Sequence, residues 1–120
     1  MLTPSPYLLL SSTHEALPEA TVLRLEGEID LNTAPILEDG LTAALQRGEH
    51  VIVDMKDVRY IDASIYQVLA RVHERRRTPH QRLVLVELSP SIQETVRILG
   101  LQRVVEIATS VEAAKRGLET

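Results

Sequence analysis

Apolar residues along the chain follow two different periods. Short unbroken or alternating runs at Tyr7 to Ser12, Thr21 to Leu25, Val51 to Asp54, Leu83 to Val86 and Val104 to Ile107 read as strands. Between them, Ile36, Leu37, Leu41, Ala44 and Leu45 recur three and four apart, as do Ile65, Val68, Leu69 and Val72. Ile92, Val96 and Leu99, and then Val111, Ala114 and Leu118, repeat the pattern twice more. Residues three and four apart share one side of a helix, so each set predicts a helix with one buried stripe.

Local signals place the helix ends. Asn32 or Thr33 caps the first helix, Pro35 sits in its first turn and Gly48 stops it. The second runs from Ser64 to about Arg77, where Thr78-Pro79 breaks the chain. Ser89 or Ser91 begins the third around Pro90, with Gly100 just past its end, and Ser110 caps the fourth.

The polar stretch ending in Pro18 joins the first two strands as an antiparallel pair, and from residue 20 onward strands and helices alternate. The chain is therefore predicted to be one α/β domain spanning residues 1–120. Its sheet is mixed but mostly parallel, opened by an antiparallel hairpin, with about four helices packed on it. Runs such as Val51-Ile52-Val53 and Leu83-Val84-Leu85-Val86 lack polar alternation, as expected of parallel strands covered on both faces.

Composition narrows the functional classes. A length of 120 residues with 44% hydrophobic and 25% charged residues suits a single globular domain. Phe and Trp are absent and the only aromatics are Tyr7, Tyr60 and Tyr66, so the core must be aliphatic and base-stacking platforms are lacking. A formal charge of -4 argues against general nucleic-acid binding. Arg75-Arg76-Arg77 is read as complementing a helix C-terminus. With no cysteine there is no disulfide and no thiolate chemistry, which is compatible with a reducing compartment. The apolar Tyr7-Leu8-Leu9-Leu10 lacks a basic leader and follows Pro4 and Pro6, so neither a signal peptide nor a membrane anchor is predicted and the expected location is cytoplasmic.

The most informative segment is Ile61-Asp62-Ala63-Ser64-Ile65, which puts Ser64 at a predicted helix start two residues after an acid. A serine there can serve as an N-cap, and the same first-turn amides favour an anion, so cap and phosphate switch both fit. Asp30 can cap the following turn through an Asx hydrogen bond, while Asp54 and Asp57 read as solvated acids at a strand end and loop. A magnesium site of Asp30, Asp54 and Asp62 is sterically conceivable in an α/β crevice, but no phosphoacceptor pattern accompanies it and no metal is predicted. His14, His50, His73 and His80 lack metal-ligand spacing and read as surface residues, and Ser64 lacks the Gly-x-Ser-x-Gly elbow of a hydrolase. The chain is accordingly not expected to be an enzyme, nor to hold a cofactor.

Taken in order, Gly27-Glu28-Ile29-Asp30, Thr33-Ala34-Pro35, Val51-Ile52-Val53-Asp54, Ile61-Asp62-Ala63-Ser64 and Ile98-Leu99-Gly100-Leu101 resemble the STAS domain. That family occurs in anti-sigma factor antagonists and in sulphate-transporter tails. The resemblance is strongest over residues 20–118. It implies a domain that binds an anti-sigma factor which is also a serine kinase, is switched off by phosphorylation and is restored by a phosphatase. Ser64 matches the phosphorylated serine, with Asp30 and Asp62 implied nearby. The implied contact surface is Glu28, Asp30, Asn32 and Thr33 of the first turn, with Ser64, Ile65, Tyr66, Gln67 and Arg71 of the helix that follows. ATP and magnesium would come with the kinase. The alternative implied by the same family is a non-phosphorylated subunit of a larger signalling or transport assembly.

Three positions depart from the usual family motif: Ala63 replaces a first serine, Ile65 stands where glycine is common, and Gln67 where a small residue is common. Ile65 is expected to take up room in which a partner's backbone could approach. A phosphate on Ser64 would add about -1.5 to -2 charge units. The helix amides would attract it and Asp30 and Asp62 would repel it.

Overall fold

The computed structural model describes residues 10–47 and 49–119. Strand β1 (Leu10–Ala16) pairs antiparallel with β2 (Ala20–Ile29), Leu10 facing Gly27 and Ala16 facing Thr21. Helix α1 (Ala34–Gln46) leads to β3 (His50–Ile61), and α2 (Ser64–Glu74) leads to β4 (Leu83–Val86). Helix α3 (Pro90–Leu99) and a 3-10 turn (Leu101–Arg103) lead to β5 (Glu106–Ile107), and α4 (Val111–Leu118) follows. The sheet runs β1-β2-β3-β4-β5, with every pairing after the hairpin parallel.

This order fixes the layers. When each parallel strand is added on the same side of the last, crossovers of one hand put their helices on one face. The larger core accordingly joins Leu37 and Leu41 of α1, Val68 and Leu69 of α2 and Ile92 and Val96 of α3 to one face of the sheet. A smaller cluster on the other face joins Val22, Ile52, Val84 and Val86 to Ala114 and Leu118 of α4. Successive strand residues point to opposite faces, so Val51 and Val53 enter the first core while Ile52 enters the second. Unbroken apolar runs in the sequence are the result.

Several boundaries differ from those read in the sequence. β3 has 12 residues instead of four, because its second half pairs with an equally extended β2. Register shifts between Arg24 and Glu26 and between Gly27 and Glu28 each leave an extra β3 residue, which breaks the alternation that would have revealed the strand. Gly27, at φ 129°, allows the second shift. Asp54 and Asp57 thus lie within a strand and not at its end, and Asp54 Oδ1 accepts the Lys56 amide at 3.0 Å. The last strand is shorter than expected, since the Val104 and Val105 amides turn back onto the Leu101 carbonyl at the end of the 3-10 turn, leaving only Glu106–Ile107 to pair.

Helix α2 ends at Glu74, before the arginine run. Two of those arginines do serve helix ends: Arg76 Nε donates to the His73 carbonyl and Arg77 Nη1 to that of Gln46, both at 2.9 Å. Ser89 and Ser110 cap α3 and α4 as predicted, and Gly100 closes α3 in the left-handed region at φ 74°. His50 is not a plain surface residue, because its Nδ1 accepts the Arg82 amide at 2.9 Å. The expected strand start at residues 7–9 and the Gly48 stop lie outside the described residues. Among the described residues no helix is long and apolar enough to cross a membrane.

Candidate functional site

The parallel pairing of β2 and β3 ends with Ile29 opposite Ile61, so the residues that follow, Asp30 and Asp62, leave the sheet at the same end. The Asp62 amide donates back to the Ile29 carbonyl at 3.2 Å and ties the two turns together. Bringing Asp30 and Asp62 to the Ser64 end of the sheet is therefore a consequence of strand register.

The first turn is closed by a reciprocal exchange. Asp30 Oδ1 accepts the Asn32 amide at 2.9 Å and the Thr33 amide at 3.0 Å, while the Asp30 amide donates to Thr33 Oγ1 at 3.0 Å. The Thr33 hydroxyl donates to the Glu28 carbonyl at 2.8 Å. The Asx turn read in the sequence for Asp30 is present. Thr33 does hold the N-cap position, yet its side chain caps no amide of α1. It is 0% exposed and secures the turn from beneath.

At α2 the division of labour differs from the expected cap. Ser64 is the first helical residue, and the acceptor of its amide is Asp62 Oδ1 at 2.8 Å. The Ile65 amide bonds the Asp62 carbonyl and the Tyr66 amide bonds the Ala63 carbonyl. With these partners taken, the Ser64 hydroxyl has no hydrogen-bonding partner among the described residues. The first-turn amides expected to attract a phosphate are thus already engaged. A phosphate added to Ser64 would find none of these three amides unpaired.

The other expected surface residues separate by depth. Ile65 is 1% exposed and belongs to the main core, which corrects the expectation that it crowds an approaching partner. Tyr66 is partly buried against that core, whereas Gln67 and Arg71 are exposed. Arg71 is not a free cation: its Nη2 donates to Glu38 Oε1 at 2.6 Å, and Arg75 Nη1 donates to Glu38 Oε2 at 2.7 Å. The Arg71 hydrogen bond holds the Glu38 carboxyl below its ordinary range against a smaller opposing effect of desolvation. Glu38 was not legible as a site residue, being 33 positions from Arg71. Leu31, 78% exposed, sits between Asp30 and Asn32 at the tip of the Gly27 to Thr33 turn expected to contact a partner, although no separate role was read for it.

No group of three or more His, Asp or Glu residues that could hold a metal occurs among the described residues. An open groove of about 500 Å³ lies elsewhere, lined by Leu88, Val96 and Ile107 among others, and includes none of the candidate residues.

This combination of a mixed sheet, crossover helices on one face and a serine-bearing turn at the sheet's end defines a small α/β domain that presents a surface. The chain belongs to the STAS domain family, whose model matches residues 12–114. It is 32% identical over 97 residues to BtrV of Bordetella bronchiseptica, a protein named provisionally as an anti-sigma factor antagonist, with 80% of this chain and 84% of BtrV covered. Its fold is similar to that of an anti-sigma factor antagonist from Mycobacterium paratuberculosis, with a TM-score of 0.85, 20% identity and coverage of 97% and 99% of the two chains. Unphosphorylated SpoIIAA, another anti-sigma factor antagonist, superposes with a TM-score of 0.72 at 20% identity, covering 92% of this chain and 98% of its own. SpoIIAA, from Bacillus, has also been solved in a phosphorylated form.

Proposed function

We propose that this chain is a cytoplasmic anti-sigma factor antagonist that binds an anti-sigma factor with serine kinase activity and is switched off by phosphorylation at Ser64. It acts by binding and not by catalysis. The observation that carries this reading is the Ser64 hydroxyl, left without a structural task because Asp62 starts the helix in its place. The similarity to named antagonists, one of them solved in phosphorylated and unphosphorylated forms, supports it. The contact surface comprises Glu28, Asp30 and Asn32 on the first turn and Ser64, Tyr66, Gln67 and Arg71 on α2, with Thr33 and Ile65 holding it from below.

On this reading the switch is electrostatic. A dianion placed beside two carboxylates and then covered by a partner is desolvated without a paired cation, which costs several kcal/mol. A loss of about 2.7 kcal/mol is already roughly a hundredfold in affinity. No rearrangement of the domain is needed.

Intact-mass analysis and phosphopeptide mapping of the protein from its host, beside a Ser64→Ala variant, test the reading. Phosphate on Ser64, abolished in the variant and weakening capture of a purified host anti-sigma factor kinase, is the expected result. Absence of phosphate under growth and stress, with a partner retained by Ser64→Asp, would establish instead a constitutive subunit of a larger assembly.

A further inference from the structure

We infer that Leu31 is the apolar anchor of the partner interface, seated in a pocket of the anti-sigma factor, an inference that rests on the proposed antagonist function. Leu31 is the most exposed of the large hydrophobic residues described, at 78%. Isolated exposed leucines are common and carry no meaning alone. Three further observations distinguish this one.

Its backbone is held rigidly. The flanking residues Asp30 and Asn32 are fixed by the Asp30 carboxylate, and Thr33 locks the turn to the Glu28 carbonyl. A side chain displayed on a turn already fixed loses less freedom on binding than one on a loose loop. Its location is also continuous with the phosphorylatable serine, because the Ile29 carbonyl two residues before it accepts the Asp62 amide, two residues before Ser64.

The third observation is the charge around it, which gives the chemistry of the occupant. Glu28, Asp30 and Asp62 make the sheet end acidic, whereas Arg71, two turns along α2, and Arg75, just past its end, put two guanidiniums on the single carboxylate of Glu38. The complementary partner face has an apolar pocket for Leu31, basic groups opposite the acidic turns and acidic groups opposite Arg71 and Arg75. Such a gradient admits one docking direction. It also explains why a phosphate on Ser64 acts on the contact that Leu31 makes, since both lie at the same end.

The test is the affinity of the full chain for the host's purified anti-sigma factor kinase, measured by titration calorimetry. Leu31→Ala is expected to weaken binding about ten- to a hundredfold, as truncating a central apolar contact does. Leu31→Met should restore most of it, and Ile98→Ala, which truncates the 69% exposed residue on α3, should leave it unchanged. Thermal unfolding of the variants should match the parent. If Leu31→Ala binds like the parent while phosphorylation of Ser64 still releases the partner, the anchor is overturned and the antagonist function stands. If the unmodified parent binds none of the host's anti-sigma factors, both are overturned together.

Discussion

Asp62 Oδ1 accepts the backbone amide of Ser64 at 2.8 Å, so starting α2 falls to the aspartate and the serine hydroxyl is relieved of that work. The two side chains should therefore respond very differently to truncation. Asp62→Ala is expected to cost about 1 kcal/mol of stability, the usual loss for a capping acceptor. Ser64→Ala should stay within about 0.5 kcal/mol of the parent. Urea unfolding of both variants checks this, and an equal cost for both would return the cap to Ser64.

Thr33 supports the neighbouring turn with a buried hydroxyl that accepts from the Asp30 amide and donates to the Glu28 carbonyl. Thr33→Val keeps the shape but removes the hydrogen bond that each of these backbone groups makes to it. A loss of about 1–3 kcal/mol is expected. Thr33→Ser should retain most of the stability, a contrast that chemical denaturation would reveal.

Replacing Ile65 with glycine, the residue common at this position in the family, should damage the fold without improving docking. The change removes a fully buried side chain from the main core and places glycine in a helix. We expect a loss of about 3–5 kcal/mol, against about 0.5–1.5 kcal/mol for Ile65→Val. Melting curves would give the order, and a stable Ile65→Gly protein would show that the core tolerates the cavity.

Arg82 links β5 to α4, donating to Glu106 Oε1 at 2.5 Å and to the Gly117 carbonyl at 2.8 Å. Its hydrogen bond holds the Glu106 carboxyl below the ordinary 4.5. A depressed carboxylate contributes stability that is fully present above the ordinary value and is lost as pH falls through the native one. Because the pair is largely solvent-exposed, the contribution should be below about 1 kcal/mol. Stability of the parent should thus fall more steeply below about pH 5 than that of Glu106→Gln. Parallel slopes would deny the pair any role.

The order of elements and the parallel sheet were legible because each βα unit carries its own period, and Ser89, Ser110 and Gly100 mark their ends by local chemistry. The second half of β3 was hidden by two register shifts that break the alternation and leave Lys56, Asp57 and Arg59 in a polar-looking segment. Asp30, Asp62 and Ser64 could be named from their motifs, but that Asp30 and Asp62 leave the sheet at the same end follows from a pairing that motifs do not encode. Which of Asp62 and Ser64 supplies the cap depends on whether the helix begins one residue earlier or later. Glu38 was unreachable for another reason, since its partners come from a different helix.

Because each strand of the sheet lies beside its neighbours in the chain, the nascent protein never has to wait for a distant segment to complete an inner pairing. Everything that shapes the serine-bearing end, from β2 through α2, is contained in residues 20–74. During synthesis from the N-terminus, that portion can pair and collapse before α3, β5 and α4 have left the ribosome. The later elements then cover surface that is already organised, so errors in the C-terminal third should slow completion of the domain while leaving assembly of its recognition end largely intact.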